Sequence, residues 1–209
     1  MTEEHNKAYA NFTKFNEGLK AISITEEVEG GSLIHQCKYF IDYLIDNPKI
    51  KNIIEIGFNT GVSSAYFLSA RDDINVISVD IGIHTYVNEC KKLIDKQFPG
   101  RHKLIIGDSR QIIPELNKLE PRLEPRLKPD LIFIDGDHGE PTPLIDARNC
   151  LALADKETVL VMDDTNLING WNGVLQAMCE LIKTREIDCS RVECEYYGRG
   201  AWTLFWKAP

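Results

Sequence analysis

Five short apolar runs mark the middle of the chain at nearly even intervals: NIIEI (52–56), NVISVD (75–80), KLII (103–106), DLIFID (130–135) and TVLVMD (158–163). Each is close to continuous rather than alternating, the pattern of strands buried on both faces, and helix-length segments separate them. Strand and helix in alternation predict a parallel sheet covered on both sides. Between residues 32 and 46, Leu33, Ile34, Cys37, Phe40, Ile41, Leu44 and Ile45 share one helical stripe, with Ser32 placed as a cap and Pro48 beyond the end. A second stripe of Val174, Leu175, Met178, Leu181 and Ile182 follows the fifth strand. The tail, RVECEYYGRGAWTLFWK, holds two β-rich runs around GRG and predicts an antiparallel hairpin closing one sheet edge. Residues 1–31 include a helix-compatible stretch and the acidic TEEVEGG, for which a lid, a dimer surface and a disordered arm are all open readings. The organisation expected is therefore an N-terminal arm, 1–31, and one domain over 32–209. In LEPRLEPRLKPD (119–130) a proline at every fourth position forbids a regular helix, so this stretch reads as an extended surface connector without assigned function.

Acidic residues sharpen the pattern. Glu55, Asp80, Asp108, Asp135 and Asp163 are spaced by 25, 28, 27 and 28 residues, one strand-plus-helix unit each, so all five are expected along the C-terminal rim of the sheet. That rim is where open parallel sheets bind ligands. At 209 residues and a formal net charge of -8, the chain can bury one sizeable core and lacks the clustered Lys and Arg of a phosphate-backbone partner. Nucleic acid and membrane are thus not expected as partners, and with no signal-like start the reading is a cytoplasmic protein. Six cysteines without a CxxC pair read as buried thiols.

EIGFNTGVSS (55–64) follows the first strand where a phosphate loop would sit, yet it has neither the P-loop lysine nor GxGxxG. Gly57 and Gly61 would let the backbone approach a ligand, and Asp80 at the end of the second strand suits both hydroxyls of a ribose. Asp108 and Ser109 in GDSRQIIPEL then fall where an adenine would lie. Without a pyrophosphate cradle, S-adenosylmethionine fits this pocket better than NAD. Glu55 could meet the ammonium, and the loop 57–63 the carboxylate.

The series EIGFNTGVS, Asp80, GDSRQIIPEL, FIDGDH and VMDDTN resembles the class I S-adenosylmethionine-dependent methyltransferases. Within them it is most similar to the metal-dependent O-methyltransferases of the catechol O-methyltransferase and macrocin-type sugar groups. The resemblance runs from about Gly31 to the C-terminus. It implies an α/β, Rossmann-like, doubly wound seven-stranded sheet, mostly parallel with an antiparallel C-terminal hairpin strand and helices on both faces. It also implies a cofactor site at Glu55, Gly57, Phe58, Asn59, Gly61, Ser63, Asp80, Asp108, Ser109 and Asp135.

The same resemblance makes the fourth and fifth strands neighbours, which would bring Asp135 of FIDGDH toward Asp163 and Asp164. Three close carboxylates repel one another unless a cation or proton sits among them, so this cluster is the expected metal site. An all-oxygen set suits Mg²⁺ first, with Ca²⁺ or Mn²⁺ as alternatives. Such an ion would lower the pKa of a substrate hydroxyl and orient it. His138 is the favoured base and Asp137 its competitor. The activity expected is O-methyl transfer to a small hydroxylated acceptor, a sugar or a catechol-like phenol. A non-catalytic S-adenosylmethionine-binding regulator and a nucleotide-dependent oxidoreductase are the alternatives, and homo-oligomerisation is left open.

Overall fold

The computed structural model describes residues 2–28, 34–119, 128–165, 172–188, 190, 192–197 and 200–207. Most of the LEPR stretch, the Ser32 cap and the hairpin tip at 198–199 lie outside the described residues, as do Asn166, Asn169 and Trp171, which by following VMDD in sequence are candidates for an acceptor wall. In chain order the elements are α1 (Glu3–Lys20), α2 (Ile34–Asp46), β1 (Asn52–Ile56), α3 (Val62–Ala70), β2 (Asn75–Asp80), α4 (Val87–Gln97) and β3 (His102–Ile106). There follow α5 (Ser109–Leu119), β4 (Leu131–Ile134), α6 (Thr142–Leu151), β5 (Val159–Asp163), α7 (Asn172–Lys183), β6 (Glu193–Tyr197) and β7 (Gly200–Trp206).

The strands form one seven-stranded sheet in the order β3-β2-β1-β4-β5-β7-β6. β1 to β5 pair in parallel, whereas β7 lies antiparallel between β5 and β6. The direction of the chain reverses its progress across the sheet between β1 and β4, and a crevice outside the strand ends forms there. Successive strand residues face opposite layers. Ile53, Leu131, Phe133, Val159 and Val161 pack beneath α1, α2, α3 and α4, while Ile54, Ile132, Ile134, Leu160 and Met162 pack against α5, α6 and α7. Two buried faces explain why the strands lack alternation in the sequence.

Helix α1 contributes Ala8, Phe12 and Phe15 to the first of these cores, with Phe15 fully buried. This stretch of the N-terminal arm is therefore packed into the domain it precedes. Asp42 accepts a hydrogen bond from Tyr9 at 2.5 Å, tying α1 to α2. Among the cysteines, Cys37, Cys90 and Cys150 are buried as expected, but Cys179 and Cys194 are exposed. No helix among the described residues is long and apolar enough to cross a membrane.

Candidate active site

A cavity of about 420 Å³ opens at the C-terminal ends of β1, β2, β3 and β4. Its wall includes Gly57 and Asn59 after β1, Asp80 and Ile81 after β2, Asp108 and Ser109 after β3, and Asp135, Gly136 and Asp137 after β4. The glycine at 57 is required. Its φ is +92°, and a Cβ there would stand 2.1 Å from the carbonyl oxygen of Asp135. The two strand-end loops thus touch backbone to backbone at the sheet's switch point.

Asp80 lines the cavity, but it also holds the loop. Its Oδ2 accepts N–H bonds from Phe58 (2.8 Å) and Asn59 (2.9 Å), and its Oδ1 accepts one from Gly82 (2.7 Å). A carboxylate offers about four lone-pair positions. Three are taken, so the expectation that Asp80 receives both hydroxyls of a ribose is corrected to room for one.

Glu55 requires a larger correction. It is fully buried and does not line the cavity, because the two-residue strand period turns it onto the α3 face beside Ile53 rather than toward the rim. Ser64 donates to its Oε2 at 2.6 Å and Ser78 donates to the same oxygen. His102 Nε2 lies 3.2 Å from Ser64 Oγ and 2.9 Å from Ser78 Oγ. Burial pushes Glu55 up to about 7, opposed by Ser63, Ser64 and Ser78, and burial pulls His102 down to about 3. Ser63 is therefore a partner of Glu55 and not a cavity residue. Phe58 is likewise buried, its ring 5.1 Å from that of His102, and Gly61 stands against the Phe58 ring. Of the expected first-loop residues, Gly57 and Asn59 reach the cavity by themselves, while Glu55, Phe58, Gly61 and Ser63 support the loop from below.

At the other end, Asp108 pairs with Arg110 and accepts its backbone N–H. Ser109 donates its hydroxyl proton to Asp146 Oδ1 at 2.7 Å. Asp146 is 1% exposed, and burial pushes its carboxyl up to about 6. The sequence reading missed Asp146, yet it left a signal: in α6 the buried positions Pro143, Asp146, Ala147 and Cys150 make a helical stripe with one acid in it.

Beside the cavity lies a second cluster. One ligand-type atom each from Asp135, His138 and Asp164 falls within 4.8 Å of the others. His138 Nε2 is 3.2 Å from Asp164 Oδ2 and 3.7 Å from Asp135 Oδ1. Asp164 reaches this position from a left-handed backbone, φ +54°, which aspartate tolerates better than most side chains. Although burial opposes it, the carboxylates of Asp135 and Asp164 push His138 up to about 10. Burial raises Asp135, with Asp164 adding to the rise and His138 working against it.

Asp163 was expected as a ligand and does not belong to this group. Its Oδ2 accepts from Gln36 at 2.6 Å and its Oδ1 from the backbone of Asp164 at 2.9 Å, so the last strand residue is turned toward α2. Burial, then the charges of Asp135 and Asp164, hold its carboxyl well above the ordinary range. Asp137 lines the cavity but spends both oxygens on its own loop, accepting from Gly139 N–H and Thr142 Oγ at 2.9 Å each. Gly173, at the start of α7, was also missed; a Cβ there would stand 2.3 Å from the carbonyl oxygen of His138, so the helix packs directly on the loop that carries the cluster.

The strand order, the antiparallel β7 and the crevice with glycine at the switch point define the Rossmann-like sheet of the methyltransferases. The profile of the family described as Methyltransferase domain matches residues 54–165, more than half of the chain, and the chain belongs to that family. No curated protein matches it in sequence. Among solved structures it is similar to the O-methyltransferase from Bacillus cereus in complex with S-adenosylhomocysteine: TM-score 0.71, 14% identity, 95% of this chain and 91% of that one. The S-adenosylhomocysteine-bound Podospora anserina methyltransferase PaMTH1 gives TM-score 0.70 at 18% identity, over 99% of this chain and 89% of that one. TomG of Streptomyces achromogenes, an O-methyltransferase involved in tomaymycin synthesis and solved with S-adenosylmethionine, gives 0.68 at 16% identity, over 100% of this chain and 91% of that one.

Proposed function

We propose that the protein transfers a methyl group from S-adenosylmethionine to a hydroxyl of a small acceptor, a sugar or a catechol-like phenol, with a divalent cation beside the donor. One observation carries this reading: Asp135 is both a wall of the cavity and a member of the Asp135, His138, Asp164 cluster, so donor pocket and cation cluster share a residue. The adenosine would run from Asp80, which has a lone pair left for a ribose hydroxyl, to Ser109, with the exposed aliphatic side chains of Ile81 and Ile83 covering the base. The methionine end would lie over Gly57 and Asn59. With Glu55 buried below the loop, the ammonium falls to the Asp135 side of the cavity.

The cluster fits a cation by its chemistry. Two carboxylates with a third, Asp163, behind them concentrate negative charge in a partly buried place, and the raised pKa values of Asp135 and Asp163 express the cost of that charge. An imidazole in the set favours Mn²⁺ over Mg²⁺, a change from the all-oxygen expectation. When bound, the ion would act as a Lewis acid that lowers the pKa of an acceptor hydroxyl. Asp135, His138 and Asp164 would hold it, Gln36 would keep Asp163 turned away, and Asp137 would brace the loop through Thr142. As a ligand His138 cannot also be the free base, and without the ion it is protonated at neutral pH, so the base assignment is not carried by this geometry.

Isothermal titration against S-adenosylmethionine and NAD, followed by S-adenosylhomocysteine release with polyols and catechols in Mn²⁺, tests the proposal. Saturable binding of the first cofactor alone is expected, with turnover that chelation lowers by about 10²-fold or more. Binding without turnover on any acceptor would favour the regulatory reading, and preference for NAD would overturn the proposal.

A further inference from the structure

Ser109 stands at the cavity wall with its proton already committed. A serine hydroxyl carries one O–H and two lone pairs. In this fold the O–H points away from the cavity, 2.7 Å from Asp146 Oδ1, and Asp146 is buried behind the wall. What the Ser109 side chain offers to an occupant is therefore acceptor capacity alone. Resting on the cofactor reading above, we propose that Asp146 is a specificity-determining positioning residue: by taking the Ser109 proton it makes the base end of the cavity select a purine bearing a 6-amino group.

The exocyclic amine is the one strong donor on an adenine ring, since N1, N3 and N7 are acceptors. A hydroxyl free to rotate would suit any of these positions and discriminate little. A hydroxyl whose proton is held from behind can meet only the amine, and it faces ring nitrogens lone pair to lone pair. Asp146 is suited to hold it. It lies on the α6 stripe otherwise filled by Pro143, Ala147 and Cys150, so packing fixes its rotamer. Its second oxygen faces Gly136 on the cavity side, 4.0 Å from where a Cβ would stand. The charged neighbours Asp108, Arg110 and Asp137 lie along the cavity wall and act on it electrostatically.

The test compares dissociation constants for S-adenosylhomocysteine and for the same thioether carrying an unsubstituted purine, which lacks the amine and keeps the ring nitrogens. Wild type should prefer the adenine compound by about 10-fold, the worth of one well-made hydrogen bond that the analogue leaves unmade. Ser109→Ala should bring the ratio near one. Asp146→Leu, apolar and close in size, should lower it similarly by freeing the hydroxyl to turn; Asp146→Ala serves the same purpose if the leucine variant fails to fold. A purely structural role for Asp146 would weaken both ligands equally and keep the wild-type ratio, which would overturn the inference, as would a wild-type ratio of one. Absence of S-adenosylhomocysteine binding in wild type would instead remove the cofactor reading itself.

Discussion

Glu55 and His102 show how a residue can be conspicuous in a motif and yet work beneath it. With Ser64 and Ser78 both donating to Glu55, His102 Nε2 can approach those hydroxyls only as a donor, which makes it the neutral Nε2–H tautomer. The pair has opposite proton linkage. Glu55, raised from 4.5 to about 7, contributes stability that is full below pH 4.5 and is lost as pH rises through 7. His102, lowered from 6.5 to about 3, contributes stability that is full above pH 6.5 and is lost as pH falls through 3. Between pH 4.5 and 6.5 the two slopes cancel. Glu55→Gln removes one of them, so its stability relative to wild type should rise by roughly 3 kcal/mol from pH 4.5 to 7.5, at about 1.4 kcal/mol per unit. Urea denaturation of both proteins across that range measures the difference. A pH-independent difference would mean that folding does not raise the pKa of Glu55.

At the scale of elements, strands were the most legible. NIIEI and NVISVD match β1 and β2 residue for residue, and the other three predicted runs differ from β3, β4 and β5 by a residue or so at an end. Burial on both faces leaves such strands little freedom to be anything else. The hairpin was legible from its two β-rich runs, whereas its place beside β5 is given by the structure and not by the sequence. Helix α1 was readable as a helix but not in its role, because a polar helix with few apolar positions gives no sign of how deeply those few are buried. Phe12 and Phe15 decide the matter. Phe12 meets Tyr66 of α3 edge-on at 6.2 Å, and Phe15 is fully enclosed. Phe15→Ala should therefore cost about 3–5 kcal/mol of unfolding free energy, as for a core aromatic, measured by denaturation. A loss under about 0.5 kcal/mol, typical of a surface position, would mean that α1 is a dispensable arm.

For the molecule as a whole, the even spacing of acids correctly foretold a carboxylate-rich edge, but spacing carries no side-chain direction. Glu55 turned into the core, and Asp163 turned to Gln36, whose buried place on α2 had no marker in the stripe that predicted the helix. The edge is left with Asp80, Asp108, Asp135 and Asp137 on the cavity, Arg110 among them, and Asp164 with His138 alongside. In a chain of net charge -8 this is the place where the proposed cation would relieve repulsion between groups that folding brings together. Mn²⁺ at about 100 times its dissociation constant should add about 2.7 kcal/mol, which for a domain of this size raises Tm by roughly 5–10 °C. Protons compete for the same atoms. Because His138 is raised to about 10 and must be neutral to ligate, the shift should be larger at pH 8.5 than at 6.5. Asp164→Ala removes a proposed ligand and should abolish the shift, whereas Asp163→Asn alters the carboxylate behind the cluster and the acceptor that Gln36 uses, and should weaken Mn²⁺ binding about 10- to 100-fold while leaving a shift at higher concentration. Thermal melts of the three proteins with Mn²⁺ and with chelator separate these outcomes; an undiminished shift in Asp164→Ala would put the cation elsewhere on the acidic edge, and loss in Asp163→Asn alone would return Asp163 to the ligand set.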